Sequence, residues 1–127
     1  MNITELTGTG LNYWVARAEN LKIGRLEEDD PDSLGVIIGG FVKVIKCRSS
    51  ITLLRHGTYW PSTDWAVGGP IIEREHIILA DDRKDGIDCW RAGHPADKYY
   101  RWGATYLEAA MRTYVASKFG DELLWPL

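Results

Sequence analysis

One stretch near the middle of the chain concentrates the residue types that recognition or catalysis would need: Asp64-Trp65-Ala66-x-Gly68-Gly69-Pro70, followed at once by Ile71-Ile72-Glu73-Arg74-Glu75. Paired glycines ahead of a helix let backbone come close to a ligand and leave N–H groups facing outward, an arrangement that accepts a phosphate or carboxylate. The stretch contains neither G-x-x-x-x-G-K-[ST] nor G-x-G-x-x-G, so the glycines name no nucleotide, and a tight turn with positive φ accounts for them as well. Glu73, Arg74 and Glu75 could supply an acid, a base and an oxyanion-binding group. Consecutive helical residues point about 100° apart, however, so the three cannot all converge on one substrate. A bidentate pair between Arg74 and a nearby carboxylate such as Asp64 is the structural alternative. His56, His76 and His94 fall at no metal-ligand spacing, and neither H-E-x-x-H nor G-x-S-x-G occurs. No metal or cofactor is expected.

Six tryptophans and six tyrosines are many for 127 residues. Such side chains bury large areas while keeping a polar tip near water or a partner. Trp14 lies on an apolar helical stripe and belongs to the core. Trp60, Trp65, Trp90 and Trp102 lie in or beside expected loops, where they can line a pocket or interface, or close the top of a small core. The candidate ligand-binding set is therefore Asp64, Trp65, Gly68, Gly69, Arg74 and Trp90, with no catalytic residue assigned. Two function classes compete. One is a non-enzymatic binding module for a protein or a small anionic ligand, built around Trp65, Gly68-Gly69 and the start of the Pro70 helix. The other is a small hydrolase or transferase with Asp64, Glu73 or Glu75 as general base beside Arg74, which would need a carboxylate of displaced pKa. A third arrangement, single-stranded nucleic acid stacked on Trp60, Tyr99, Tyr100 and Trp102 beside Lys98 and Arg101, has suitable rings but little basic charge.

These residues need elements to hold them. Leu11, Trp14, Val15, Ala18 and Leu21 recur at helical spacing, so a helix is expected between Thr9 and Lys22, capped by Thr7 or Thr9 and stopped by Gly24. Glu27 to Ser33 gathers five carboxylates around Pro31 and reads as a solvated loop. Phe41 to Lys46 and Ile51 to Leu54 read as the arms of a hairpin, with Gly39-Gly40 as a break or bulge and Arg48-Ser49-Ser50 as the turn. Ser62 could cap one brief helical turn. Pro70 reads as the first residue of a short central helix that ends at Glu75. Ile77 to Ala80 and Ile87 to Ala92 read as antiparallel partners joined through Asp81 to Gly86, and Gly93 to Gly103 as a loop. Thr105-x-x-Glu108 is a capping box for the clearest helix, whose stripe includes Leu107, Met111, Tyr114 and Val115 and which stops at Gly120. The expected fold is a single α+β domain over residues 1–127. It has one small antiparallel sheet of about four short strands, flanked by N- and C-terminal helices and one short central helix.

Composition bounds the rest. Hydrophobic residues make up 45% and charged residues 26%, ordinary values for a globular chain. A net charge of −3 offers nucleic acid or an anionic membrane no general attraction. Cys47 and Cys89 lack C-x-x-C partners, so reduced thiols are expected. No run approaches the roughly 18 apolar residues of a membrane span and no leader pattern is seen, so a cytoplasmic protein is expected. An aromatic-rich surface is compatible with a homodimer.

The run Tyr59-x-Pro61-Ser62-Thr63-Asp64-Trp65-Ala66-x-Gly68-Gly69-Pro70-Ile71-Ile72-Glu73-Arg74-Glu75-x-Ile77 resembles the hallmark segment of the NinX-like family, small proteins of tailed phages and prophages. Gly103-Ala104-Thr105-x-Leu107 and the stretch from Ala109 to Glu122 look like that family's closing helix, and Leu6-Thr7-Gly8, Leu11 and Trp14-Val15 like its opening one. Family members often carry glycine where His76 stands and proline where Tyr106 stands. Both fit the expected helix boundaries, since a left-handed residue ends one helix and proline starts another. The resemblance implies a phage accessory protein and brings no activity with it.

Overall fold

A computed structural model describes residues 1–124 of the chain. After a 3-10 turn at Ile3–Glu5 come α1 (Gly8–Ala18), β1 (Lys22–Gly24), β2 (Leu34–Ile38), β3 (Phe41–Lys46), α2 (Ser50–His56) and α3 (Trp65–Glu75). The chain continues through β4 (Ile78–Lys84), β5 (Ile87–Gly93), β6 (Tyr100–Gly103) and α4 (Tyr106–Phe119). The fold is α+β, with two three-stranded antiparallel sheets, β1-β2-β3 and β4-β5-β6, in place of the single four-stranded sheet expected.

The centre is α4. Leu107, Ala109, Ala110, Met111, Tyr114, Val115 and Ala116 are all buried, so apolar side chains surround nearly the whole helix, as in a helix enclosed by other elements. Thr105 caps it through Oγ1, which accepts from Glu108 N–H at 3.1 Å, while the Glu108 carboxylate reaches back to Ala104 N–H at 3.0 Å. Ile3, Leu6, Leu11, Trp14, Val15, Ile71 and Ala92 pack with it in one cluster. A second, smaller cluster of Ala16, Val36, Ile45 and Tyr59 lies under the first sheet. The buried Arg112 fastens α4 to two neighbours, donating from Nε to Leu6 O at 3.0 Å and from Nη1 to Trp102 O at 2.8 Å.

Several expectations are corrected. Ile51 to Leu54 is helical, because Ser49 Oγ accepts from Thr52 N–H at 3.2 Å and opens α2. The partner of Phe41–Lys46 is β2, and Gly39-Gly40, both at positive φ, form the turn between them. α1 ends at Ala18, with Asn20 in the left-handed region, and Gly24 belongs to β1. The acidic segment is a folded turn. Ser33 Oγ accepts from Leu26 and Glu27 N–H and donates to Asp30 O, and the buried Asp30 carboxylate accepts from Arg48 N–H. The strand Ile78–Lys84 runs through most of the expected turn, leaving Asp85-Gly86 as the bend, and Tyr100–Gly103 within the expected loop is a strand.

The central helix starts earlier than Pro70. Its N-cap is Asp64, whose Oδ1 accepts from Ala66 N–H at 3.0 Å, and Gly68, Gly69 and Pro70 lie inside it. Gly68 N–H donates to Asp64 O at 2.8 Å, so the outward-facing amides expected of the glycine pair are replaced by helical bonding. His76 ends the helix in the left-handed region at φ 57°, where the family resemblance places a glycine.

Candidate functional site

The turn Pro61-Ser62-Thr63, closed by Thr63 and Asp64 N–H groups donating to Trp60 O, aims the chain into α3 and puts Trp65 at its first position. Trp65 is 54% exposed there. Trp90 lies on β5 directly opposite Asp81 of β4, so the two side chains share one face of the second sheet. The first residue of α4, Tyr106, lays its ring on that indole with centroids 4.1 Å apart and planes 33° apart. Its hydroxyl donates to Asp81 Oδ1 at 2.5 Å. This bond also holds the Tyr106 hydroxyl above its ordinary pKa, because the neighbouring carboxylate opposes a phenolate.

Trp65, Trp90 and Tyr106 thus line one shallow cleft of about 290 Å³, with Ser62, Thr63, Thr105 and Leu107 completing the wall. No lysine or arginine is among these lining residues. Of the six candidates from the sequence, Trp65 and Trp90 meet at this cleft and Asp64 adjoins it as the helix cap. Gly68 is a packing contact: a Cβ there would lie 2.5 Å from Pro61 O and 2.6 Å from Leu107 Cδ2. Gly69 sits behind Trp65, where a Cβ would meet the indole at 3.8 Å. Tyr106 is a site residue that the sequence candidates miss; the signal for it is its position directly after the Thr105 cap.

Arg74 stands elsewhere. Its fork donates to both Glu19 oxygens, at 3.0 and 2.6 Å, its Nε donates to Glu75 Oε2 at 3.0 Å, and its Nη2 donates to the Tyr114 hydroxyl at 3.2 Å. A bidentate pair forms as expected in kind, with Glu19 in the place proposed for Asp64. Asp64 caps the beginning of α3 and Glu75 ends it, roughly 16 Å apart along the axis at 1.5 Å per residue. Tyr114 also donates to Glu19, and burial with that neighbouring carboxylate pushes its hydroxyl pKa up.

The far side of Glu75 meets His94, with Nε2 and Oε1 at 2.9 Å. His94 Nδ1 accepts from Ala96 N–H at 3.0 Å, so Nε2 carries the ring proton and donates it to Glu75. That hydrogen bond first, and Arg74 second among the groups that lower it, hold the Glu75 carboxyl below its ordinary pKa. The network His94–Glu75–Arg74–Glu19–Tyr114 ties α1, α3, α4 and the loop after β5 together with its donors and acceptors engaged.

Among the described residues, no group of three or more His, Cys, Asp or Glu is placed to hold a metal ion. No described helix is long and apolar enough to cross a membrane. Of the proposed nucleic-acid set, Arg101 is buried and paired with Asp97 and Asp121, while Trp60 donates its Nε1–H to Ile45 O. Comparison with curated proteins gives no match. The family model described as Bacteriophage P22, NinX matches residues 2–118, spanning every helix and strand but the last residue of α4, and the chain therefore belongs to the NinX family.

Proposed function

We propose that this phage-family protein is a non-enzymatic binding module whose recognition surface is the cleft between Trp65, Trp90 and Tyr106. The observation that carries the reading is the convergence of three aromatic rings from α3, β5 and α4 on one solvent-open cleft. A half-exposed tryptophan beside a stacked aromatic pair is costly to leave in water and typical of binding hot spots. Of the two ligand classes expected, the protein segment suits the cleft better, since an anion would find no cation on its walls. The Arg74 network supports a structural role. Its charges are mutually satisfied, and its carboxylates do not surround a common hollow with Asp64.

The test compares the wild-type protein with Trp65→Ala. Copurification from host lysate and indole fluorescence against a panel of peptides and anionic metabolites are measured for both. Binding that disappears with Trp65 while the thermal midpoint holds supports the reading. Binding that survives the substitution, or silence across the whole panel, rejects it.

A further inference from the structure

Two features of the aromatic cleft select a ligand chemistry. The first is an unspent polar atom: Ser62 is 4% exposed and lines the cleft, and among the described residues its Oγ has no hydrogen-bond partner. Ser62 N–H is taken by Asn12 Oδ1 at 3.0 Å, which leaves the hydroxyl as the side-chain group without a partner. A buried hydroxyl without a partner is unfavourable, and a ligand that bonds to it recovers that deficit.

The second is charge. Asp81 borders the Trp90–Tyr106 pair, with one oxygen occupied by the Tyr106 hydroxyl, and Asp64 at the rim commits one oxygen to the helix cap. The strand cations on that face of the second sheet are engaged elsewhere: Arg83 donates to Gly86 O at the hairpin turn and lies near Asp88, and Arg101 is paired with Asp97 and Asp121. The cleft therefore combines aromatic faces, an acidic border and an orphan hydroxyl, with no cation in its lining.

Resting on the binding reading above, we propose that the cleft takes the guanidinium of an arginine presented by a partner protein. It would stack between Trp65 and the Trp90–Tyr106 pair and donate to Ser62 Oγ and the Asp81 carboxylate. A guanidinium is flat enough to lie on indole faces, carries the charge the border complements, and has donors on its edge in several directions at once. An ammonium matches the charge without the plane, and a urea matches the plane without the charge. The arginine comes from another protein, because no lysine or arginine of the described residues lines the cleft and the strand arginines on this face are engaged elsewhere.

The experiment titrates N-acetyl-arginine amide into protein labelled with 15N at the tryptophan indoles. N-acetyl-lysine amide and N-acetyl-citrulline amide serve as matched probes. The expected result is saturable movement of the Trp65 and Trp90 indole signals by the arginine probe, with the lysine and citrulline probes roughly tenfold weaker, as loss of one charged or stacked contact implies. Asp81→Asn should reduce arginine binding and leave citrulline binding unchanged. Equal binding of arginine and citrulline, or no arginine binding while another probe of the panel still moves Trp65, overturns the guanidinium assignment and leaves the cleft standing as a binding surface. No movement by any probe, with no Trp65-dependent copurification, overturns both. A concentration-dependent dimer that the arginine probe dissociates assigns the slot to a second copy of the chain and overturns the partner assignment.

Discussion

Trp90 and Tyr106 stack at 4.1 Å although sixteen positions separate them in the chain, because α4 packs against β5, the middle strand of the second sheet, and sets its first residue over that indole. The pair forms a fixed wall, and the exposed Trp65 faces open solvent on the same cleft. A rigid aromatic wall loses little conformational freedom when a ligand covers it.

Truncating the exposed member should separate binding from folding. Trp65→Ala is expected to change stability by no more than about 0.5 kcal/mol, as for surface residues generally. Trp90→Ala removes a partly buried ring that packs against the main core and should cost about 3 kcal/mol. Urea unfolding of the two variants tests the contrast.

The two glycines of α3 should behave oppositely. Gly68→Ala drives a methyl into Pro61 O, a backbone atom that cannot step aside, and should destabilise by about 1–3 kcal/mol. Gly69→Ala meets only an ordinary contact with Trp65 and should stabilise by about 0.5–1 kcal/mol through helix propensity. A thermal midpoint that rises for Gly68→Ala as it does for Gly69→Ala would show that the helix does not pack on the Pro61 turn.

Arg112 is an interior fastener, and its guanidinium is held below its ordinary pKa by burial. Arg112→Met should destabilise by about 3 kcal/mol, because Leu6 O and Trp102 O lose their donor and Glu108 loses its ion-pair partner. Hydrogen exchange should show earlier opening at the N-terminal turn and at β6 than elsewhere.

The pH dependence follows from Glu75. Its folded pKa is depressed, so its contribution to stability is fully present above the unfolded carboxyl value and is lost as pH falls through the folded one. The protein should therefore weaken on acidification below about pH 4.5. Glu75→Gln should flatten that part of the curve, and denaturant midpoints measured across the acid range will show whether it does.

Legibility in the sequence followed local signals. The Thr105 capping box and the apolar periodicity of α4 are self-sufficient; the antiparallel pairing of the strands after Ile77 and after Ile87 was legible too, but its length was not, since the polar Asp81 to Lys84 reads as turn and is strand. Ile51 to Leu54 misleads by its β-branched start, because the Ser49 cap decides between helix and strand, and a serine between Arg48 and Ser50 fits a turn equally well. The Pro70 start misled for a related reason: proline after two glycines looks like a first helical residue, yet Asp64 caps the helix six residues earlier. At the site, residue type marked Trp65 and Trp90 because loop-side indoles stand out. Tyr106 and Ser62 depend on how α4 docks against the second sheet and the Pro61 turn, which no local pattern records. Arg74 found a carboxylate partner as its chemistry requires, but Glu19 lies 55 positions away and was out of reach of any spacing argument.

The central claim is that this cleft meets the partner, and indole NMR on the partner-bound protein tests it most directly. Signals of Trp65 and Trp90 should shift or broaden on addition of a copurified partner, while Trp14, sealed in the core, stays in place. Shifts confined to Trp60 or Trp102, with Trp65 unmoved, would contradict it.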